Sequence, residues 1–588
     1  MGFLSVAVRC FLFVTCLGAL AGAPAARAQP AAPPARYWVA LADKNGVAFD
    51  PRAYFSASAQ ARRVRQHLPV FEESDRPVRV DYLARIRAAV DTVTLVSRWF
   101  NAVAVRATPA QAAALGSLPG VHTVAAWPQQ SARPAAAAWH VGPPARQKLA
   151  DEPPYISPED YLLASRQTAV LGAPAWQRAG LDGRGLRIAL FDVGFRGVDE
   201  HPAFAALRAR HGIVATHDFL ANRPDVYRGG SHGTEVLGCL AGRLPGGPSG
   251  GLAAGPPLGL APAADYLLAR TERALRETLS EEEAWLAAAE WADREGADII
   301  NSSLAYTEQR YFPEEMNGRR SVVARAAALA ARKGMLVVCA AGNDGDTDWV
   351  RIGTPADADS VLAVGGLDPD TGLRLAFSSV GPSADRRVKP DVSAFGIVLS
   401  ATPGGNYERL EGTSFAAPLV AGFAACAWQQ RRSLTAAQLY GQLRAAGDLS
   451  PYFDYASGYG LPRADFFLAQ GPVRPVGPTF DFVPNDSLVA VVLRPAAAMR
   501  PAQELPLVAE LPEAPGPPLP GGLAPTLGLE SDFPPHLYWH LADRRGVLRR
   551  YEVRAVTQRL VLQVPRRLLR GGDTLRVEFK GYTATYSE

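Results

Sequence analysis

Cysteine is scarce. The 588 residues hold five, and two of them, Cys10 and Cys16, fall within the first 28. The other three, Cys239, Cys339 and Cys426, each sit in an apolar run at no metal-ligand spacing, so the expectation is buried thiols acting as small hydrophobes, with a disulfide between two of them left open. Charge of one sign is also missing. Against 61 basic side chains stand 57 acidic ones, a net charge of +4, and Lys and Arg are scattered among acids. That disfavours a nucleic-acid-binding stripe or a polybasic membrane patch, and no nucleic-acid partner is expected. No apolar run reaches the 18 or so residues of a membrane span. Disorder is excluded from the other side, because 48% of the residues are hydrophobic.

What is present in quantity is Gly (54) and Pro (49), which implies many turns and some extended spacers in a chain long enough for several domains. Residues 1–28 read as an export signal. Arg9 precedes the apolar run from Cys10 to Ala21, and Ala26-Arg27-Ala28 has the small-x-small pattern of a cleavage site. A secreted protein is therefore expected, whether extracellular, periplasmic or held at the cell surface. Cys16 offers a lipoprotein alternative, but Phe13-Val14-Thr15 is a poor lipidation box.

Residues 29–128 read as a small α+β unit. Strands are expected at Tyr37 to Leu41, Ala102 to Val105 and Val121 to Val124, with Leu83, Ile86 and Val90 on one helical face. Thr108, Pro109 and Gln111 make a capping box that starts a second helix. A Pro- and Ala-rich linker covers about 129–159. From 160 to 470 strands alternate with helices. Buried strands are expected at Leu186 to Phe191, Tyr266 to Arg270, Asp298 to Leu304, Leu336 to Ala340, Ser360 to Val364 and Ile397 to Ala401, with helices at Glu281 to Arg294 and Ser321 to Lys333. Apolar runs without polar alternation suit a doubly wound parallel sheet, whose ligands gather at the carboxyl ends of its strands. Residues 471–530 read as a Pro-rich linker. The stretch 531–588 reads as a small C-terminal β-domain, a sandwich or a sheet, with Leu575, Val577 and Phe579 on one face.

Three segments place a reactive side chain just after a buried strand or at a helix start. Asp192 ends Leu186-Arg187-Ile188-Ala189-Leu190-Phe191, His232 stands in Ser231-His232-Gly233-Thr234-Glu235, and Ser414 stands in Gly412-Thr413-Ser414-Phe415-Ala416-Ala417-Pro418. An alcohol is a weak nucleophile at neutral pH, so Ser414 needs a base, and an imidazole titrates in the right range. The imidazole needs a carboxylate to fix its tautomer, a role open to Asp192. Asn343, after the strand Leu336 to Ala340, adds an amide donor for a developing oxyanion. Singly, each residue has a plain structural reading as a turn or cap. Four of them in one order on one fold point to catalysis. Gly229-Gly230-Ser231-His232-Gly233 also fits the nucleophile-elbow pattern, but the polar, Pro-containing stretch before it lacks the strand that motif requires.

These blocks, with Ala340-Ala341-Gly342-Asn343, resemble the subtilase (subtilisin-like, S8) serine peptidases. The resemblance implies a subtilisin-like parallel seven-stranded sheet over 160–470, with Ser414 as nucleophile, His232 as base then acid, Asp192 as its orienter and Asn343 as oxyanion donor. Ser302, Ser303, Leu304 and Ala305 would bind extended polypeptide substrates by strand addition. The unit before 130 resembles an inhibitory propeptide, which implies a self-cleaving zymogen whose own propeptide is an intramolecular inhibitor. Family members often bind calcium, yet no acidic loop here has convincing ligand spacing, so no cofactor and no metal site is expected.

Three departures from the family pattern stand out. Val193 replaces a Ser or Thr after the catalytic Asp, Ala305 replaces a Gly and adds a methyl to the peptide cleft, and Glu235 replaces a second His. The reading from another class is a catalytically inactive subtilase fold that binds peptides. The C-terminal strands have two readings of their own, an ordinary accessory domain or one loosely resembling cargo domains of a bacterial outer-membrane secretion route.

Overall fold

The computed structural model describes residues 33–127, 156–245, 255–273, 278–307, 310–469, 476–494, 533–556 and 561–587. The signal-like segment, nearly all of the 129–159 linker with its expected processing site, and most of the 471–530 linker lie outside these residues.

The N-terminal unit is a four-stranded antiparallel sheet of β1 (Ala35–Leu41), β2 (Thr92–Ser97), β3 (Ala102–Ala107) and β4 (Val121–Ala126), in the order β2-β3-β1-β4. One face packs Val39, Leu41, Val103 and Val105 against Ile86 and Leu115 of the helices Val80–Ala89 and Pro109–Leu115. The capping box at Thr108 and Gln111 forms as expected, with both reciprocal hydrogen bonds present. Val90 falls just past its helix, in extended backbone. The helix Ala57–Arg65 has no counterpart among the expected elements.

Seven parallel strands form the central sheet: β5 (Arg187–Asp192), β6 (Ile213–Asp218), β7 (Asp265–Arg270), β8 (Ile299–Ser302), β9 (Leu336–Ala340), β10 (Val361–Leu367) and β11 (Val392–Phe395), ordered β11-β10-β9-β8-β5-β7-β6. Alternate residues of each strand enter two different cores. Ile188, Leu190, Tyr266, Leu268, Val338 and Leu362 face the helix Thr413–Gln430, which is apolar all round and buried nearly throughout. Ala189, Phe191, Leu267, Ile300, Val337 and Ala363 face the helices Leu279–Glu295 and Val322–Arg332. From β5 the chain runs first to the edge strand β6, returns to β7 beside β5, and then crosses to β8 on the other side of β5 and outward to β11, so the carboxyl end of β5 is a topological switch point. Ile397 to Ala401, expected within this sheet, instead belongs to β12 (Ile397–Thr402), which forms a two-stranded ribbon with β13 (Asn406–Glu411).

Two further sheets make a C-terminal sandwich. One holds β14 (Phe480–Pro484), β15 (Leu488–Leu493) and β18 (Val561–Pro565); the other holds β16 (His536–Ala542), β17 (Leu548–Ala555), β19 (Thr574–Phe579) and β20 (Tyr582–Ser587). Phe480, Val489 and Val491 meet Trp539, Leu575, Val577 and Phe579 between them. Strands β14 and β15 lie inside the stretch expected to be linker, because their partner β18 is distant in sequence.

The second face of the N-terminal sheet rests on the helices Leu279–Glu295 and Val322–Arg332, with Trp38, Leu95 and Trp99 joining the core there. Polar groups fasten this interface. Glu290 accepts from Ser97 Oγ (2.6 Å), Trp99 N (3.1 Å) and Arg98 N (3.2 Å). Arg62 and Arg63, both buried, pair with Asp293, and Arg63 also reaches Asp75 at 3.0 Å. Lys333 Nζ donates to Asp75 (2.6 Å), Ser74 Oγ (2.8 Å) and Glu72 (3.1 Å). Gly296 closes its helix at φ +83°, where a β-carbon would come within 2.4 Å of Ala59 N, so only glycine suits both the turn and the contact.

Candidate active site

Asp192 is the last residue of β5 and is buried. His232 opens the helix His232–Ala241. The loop leaving β5 is stitched to that helix start: Gly233 N donates to Gly194 O at 3.0 Å and Thr234 Oγ1 to Arg196 O at 2.9 Å. A β-carbon on Gly233 would lie 2.6 Å from Gly194 O, which is why the motif needs glycine after the histidine. The approach brings His232 Nδ1 to 2.8 Å from Asp192 Oδ1. A carboxylate can only accept, so Nδ1 carries the proton and the lone pair of the neutral ring is on Nε2.

Ser414 is the second residue of the helix Thr413–Gln430 and is 4% exposed. Its Oγ donates to Ser303 O at 3.2 Å, while Ser303 Oγ donates to Ser414 O at 2.7 Å. Next to it, the Phe415 ring lies 5.6 Å from the His232 imidazole, centroid to centroid. Asn343 follows β9. Its Oδ1 accepts from Thr413 N (2.9 Å) and Thr413 Oγ1 (2.8 Å), which fixes the amide so that Nδ2 is left beside Gly412 with no protein partner among the described residues. Asp192, His232, Ser414 and Asn343 thus gather at the carboxyl rim of the sheet.

Of the four residues expected to bind substrate, Ser302 points elsewhere. It is buried within β8 and its hydroxyl accepts from Trp285 Nε1 at 3.0 Å. Leu304 and Ala305 carry the chain past Ser303, and no main-chain hydrogen bond engages either among the described residues, whereas Tyr306 and Thr354 exchange a pair of them. The Ala305 methyl faces Gly353, where a β-carbon would come within 3.0 Å of it.

Electrostatics follow from burial and from two carboxylates. Burial pulls the His232 pKa down, but the charge and hydrogen bond of Asp192, with the charge of Glu235, outweigh it and leave the imidazole above its ordinary value. Burial pushes Glu235 up, against the lowering effect of His232 and of a hydrogen bond from Ser231 Oγ at 3.0 Å. Cys239, Cys339 and Cys426 are buried and free, and burial raises all three thiols. Among the described residues no three His, Cys, Asp or Glu side chains are grouped so as to hold a metal ion.

Sequence reasoning missed Thr413, which pins Asn343, and the interface residues Glu290, Asp293 and Lys333. Thr413 was visible as a conventional helix-start residue. The charged residues resembled an ordinary solvated helix face.

By class, fold and site define a serine peptidase. Residues 183–460 match the subtilase family of peptidases, and residues 36–139 match the S8 propeptide domain of Bacteroidota. The chain is 32% identical over 291 residues to subtilisin NAT of Bacillus subtilis subsp. natto, covering 49% of this chain and 67% of that one. It is 31% identical over 284 residues to subtilisin DY of Bacillus licheniformis, covering 48% and 91%. Among solved structures, a cold adapted subtilisin-like serine proteinase aligns at 24% identity and a TM-score of 0.37, covering 47% of this chain and 87% of that one. The chain belongs to the subtilase family of serine peptidases, and carries that family's propeptide domain.

Proposed function

We propose that the protein is a secreted endopeptidase that cuts extended polypeptides through an acyl-enzyme, and that it is made as a zymogen which removes its own propeptide. Ser414 is the nucleophile. His232 takes its proton through Nε2 and returns it to the leaving amine, Asp192 fixes the ring and stabilises its cation, and Asn343 Nδ2 donates to the oxyanion together with Ser414 N at the helix start. The unengaged main chain of Leu304 and Ala305 receives the substrate as an added strand. The observation that carries this reading is the 2.8 Å contact between His232 Nδ1 and Asp192 Oδ1, formed across 40 residues beside the helix that begins with Ser414.

The N-terminal unit acts as the inhibitor, an assignment supported by its match to the S8 propeptide domain and by its seat on the two helices beneath β8 and β9. Export is supported by the signal-like sequence of residues 1–28. Ser414→Ala should abolish cleavage of an unfolded protein substrate and leave the precursor unprocessed. N-terminal sequencing of the purified wild-type and variant proteins reads export, propeptide removal and competence together. A variant that still matures in a protease-free preparation would show that another enzyme does the cutting.

A further inference from the structure

Asp192 is short of hydrogen-bond donors. Both bonds its carboxylate receives, from Val193 N at 2.7 Å and His232 Nδ1 at 2.8 Å, end on Oδ1. Oδ2 is buried, and no donor among the described residues reaches it. The adjacent side chain is aliphatic: Val193 is buried and packs against Gly230, where a β-carbon would come within 2.5 Å of Val193 Cγ1. A second carboxylate stands on the imidazole's own helix. Glu235 is three residues beyond His232, on the same helical face, and is steadied by Ser231.

The charges acting on His232 include those of Asp192, at the end of β5, and of Glu235; the helix Thr413–Gln430 brings up the uncharged Ser414 and Phe415. We propose that Val193 and Glu235 together set the pH window of this peptidase. An under-donated Asp192 and a second carboxylate hold the His232 imidazolium more tightly than one fully hydrogen-bonded carboxylate would, and so move the acidic limb of activity to higher pH.

A hydrogen bond to a carboxylate stabilises the anion and disperses its charge; with no donor from the described residues on Oδ2, Asp192 leans on Val193 N and on the imidazolium. Glu235 adds attraction of the same sign. A general base works only when neutral, so whatever favours the imidazolium moves the acidic limb of the rate profile to higher pH. The net upward displacement of His232, despite its burial, agrees in direction. Val193 and Glu235 are positioning residues in this scheme, since both act through His232 and Asp192.

The proposal rests on His232 being the base, but its test does not require turnover. In the Ser414→Ala protein, the His232 ring is titrated by NMR with Val193 intact and as Val193→Thr, Val193→Ser and Val193→Ala, and separately as Glu235→Gln. The hydroxyl variants and Glu235→Gln should each lower the midpoint by about half a pH unit or more, and Val193→Ala should not. In proteins with Ser414 restored, the acidic limb of kcat/KM should move down by the same amount. An unmoved midpoint in both hydroxyl variants, or an equal shift in Val193→Ala, overturns the role of Val193; an unmoved midpoint in Glu235→Gln overturns that of Glu235. Failure of the intact chain to cleave any substrate would instead sink the proteolytic reading and leave the titration standing.

Discussion

Asn343 has two tasks on one side chain. Its Oδ1 holds the start of the helix Thr413–Gln430 through Thr413, and its Nδ2 donates to the oxyanion in the proposed reaction. Alanine removes both tasks, so Asn343→Asp is the sharper probe: it keeps the acceptor, removes the donor and sets a negative charge where another must develop. The expected result is a fall in kcat of at least the roughly 100 to 1,000-fold that such a donor carries in subtilisin, with KM and the melting temperature little changed. A loss expressed wholly in KM would contradict the donor role. That Asp192, His232, Ser414 and Asn343 gather at one rim of the sheet was legible in the sequence, because acyl transfer would dictate those side-chain types after strands and at helix starts. The consequences of Val193 and Glu235 were not, because they depend on which carboxylate oxygen a donor reaches and on what else faces the ring.

At the scale of elements, legibility followed hydrophobic pattern and cap chemistry. β5, β7, β8, β9 and β10 were found as apolar runs, and Thr108 announced its helix. β6 was missed because it is the sheet's edge strand and carries Thr216, His217 and Asp218. β11 was missed because it is a short edge strand whose apolar run is broken by Ser393. β12 was recognised as a strand but not as part of a ribbon, since strand pattern does not name a partner. The helix Ala57–Arg65 was illegible for a different reason: two of its three buried residues, Arg62 and Arg63, are charged.

Those two arginines make the propeptide seat dependent on Asp293. Arg62 donates to Asp293 and to Ala297 O, Arg63 to Asp293 while pairing with Asp75, and all four ionic side chains are at most 2% exposed. Removing one member of a buried pair leaves uncompensated charge, so Asp293→Ala should cost about 3 to 5 kcal/mol. Denaturant unfolding of the Ser414→Ala precursor measures it. Asp293→Asn, which keeps part of the hydrogen bonding, should cost less. If neither variant separates from the parent precursor, the cluster does not hold the propeptide in place.

The whole molecule adds a contact that no local pattern could show, because β14 and β15 pair with β18 across the Pro-rich stretch and complete a sandwich docked on the loop 449–455. His540 Nδ1 donates to Phe453 O at 2.7 Å, and its ring stacks on Tyr452 at 4.9 Å. Burial holds this imidazole neutral, with its pKa pulled down to about 4. Glu578, on the neighbouring strand β19, is pushed up to about 8 by burial and further by the charge of Asp448. Burial lifts Asp448 and Asp454, on the peptidase side, to about 6. The signs oppose one another. A base with a lowered pKa contributes fully above its ordinary value and loses that contribution as pH falls towards 4; acids with raised pKa values contribute fully below the usual carboxylate range and lose it as pH rises through 6 and then 8. From pH 4.5 to 6 the three acids outweigh the one base, so the stability these groups contribute falls as pH rises, and between 6.5 and 8 Glu578 carries the remaining fall. In the Ser414→Ala protein, the melting temperature should drop between pH 6.5 and 8 and level off above, and Glu578→Gln, which cannot ionise, should flatten that limb. An alkaline slope unchanged by Glu578→Gln would assign the loss to another group.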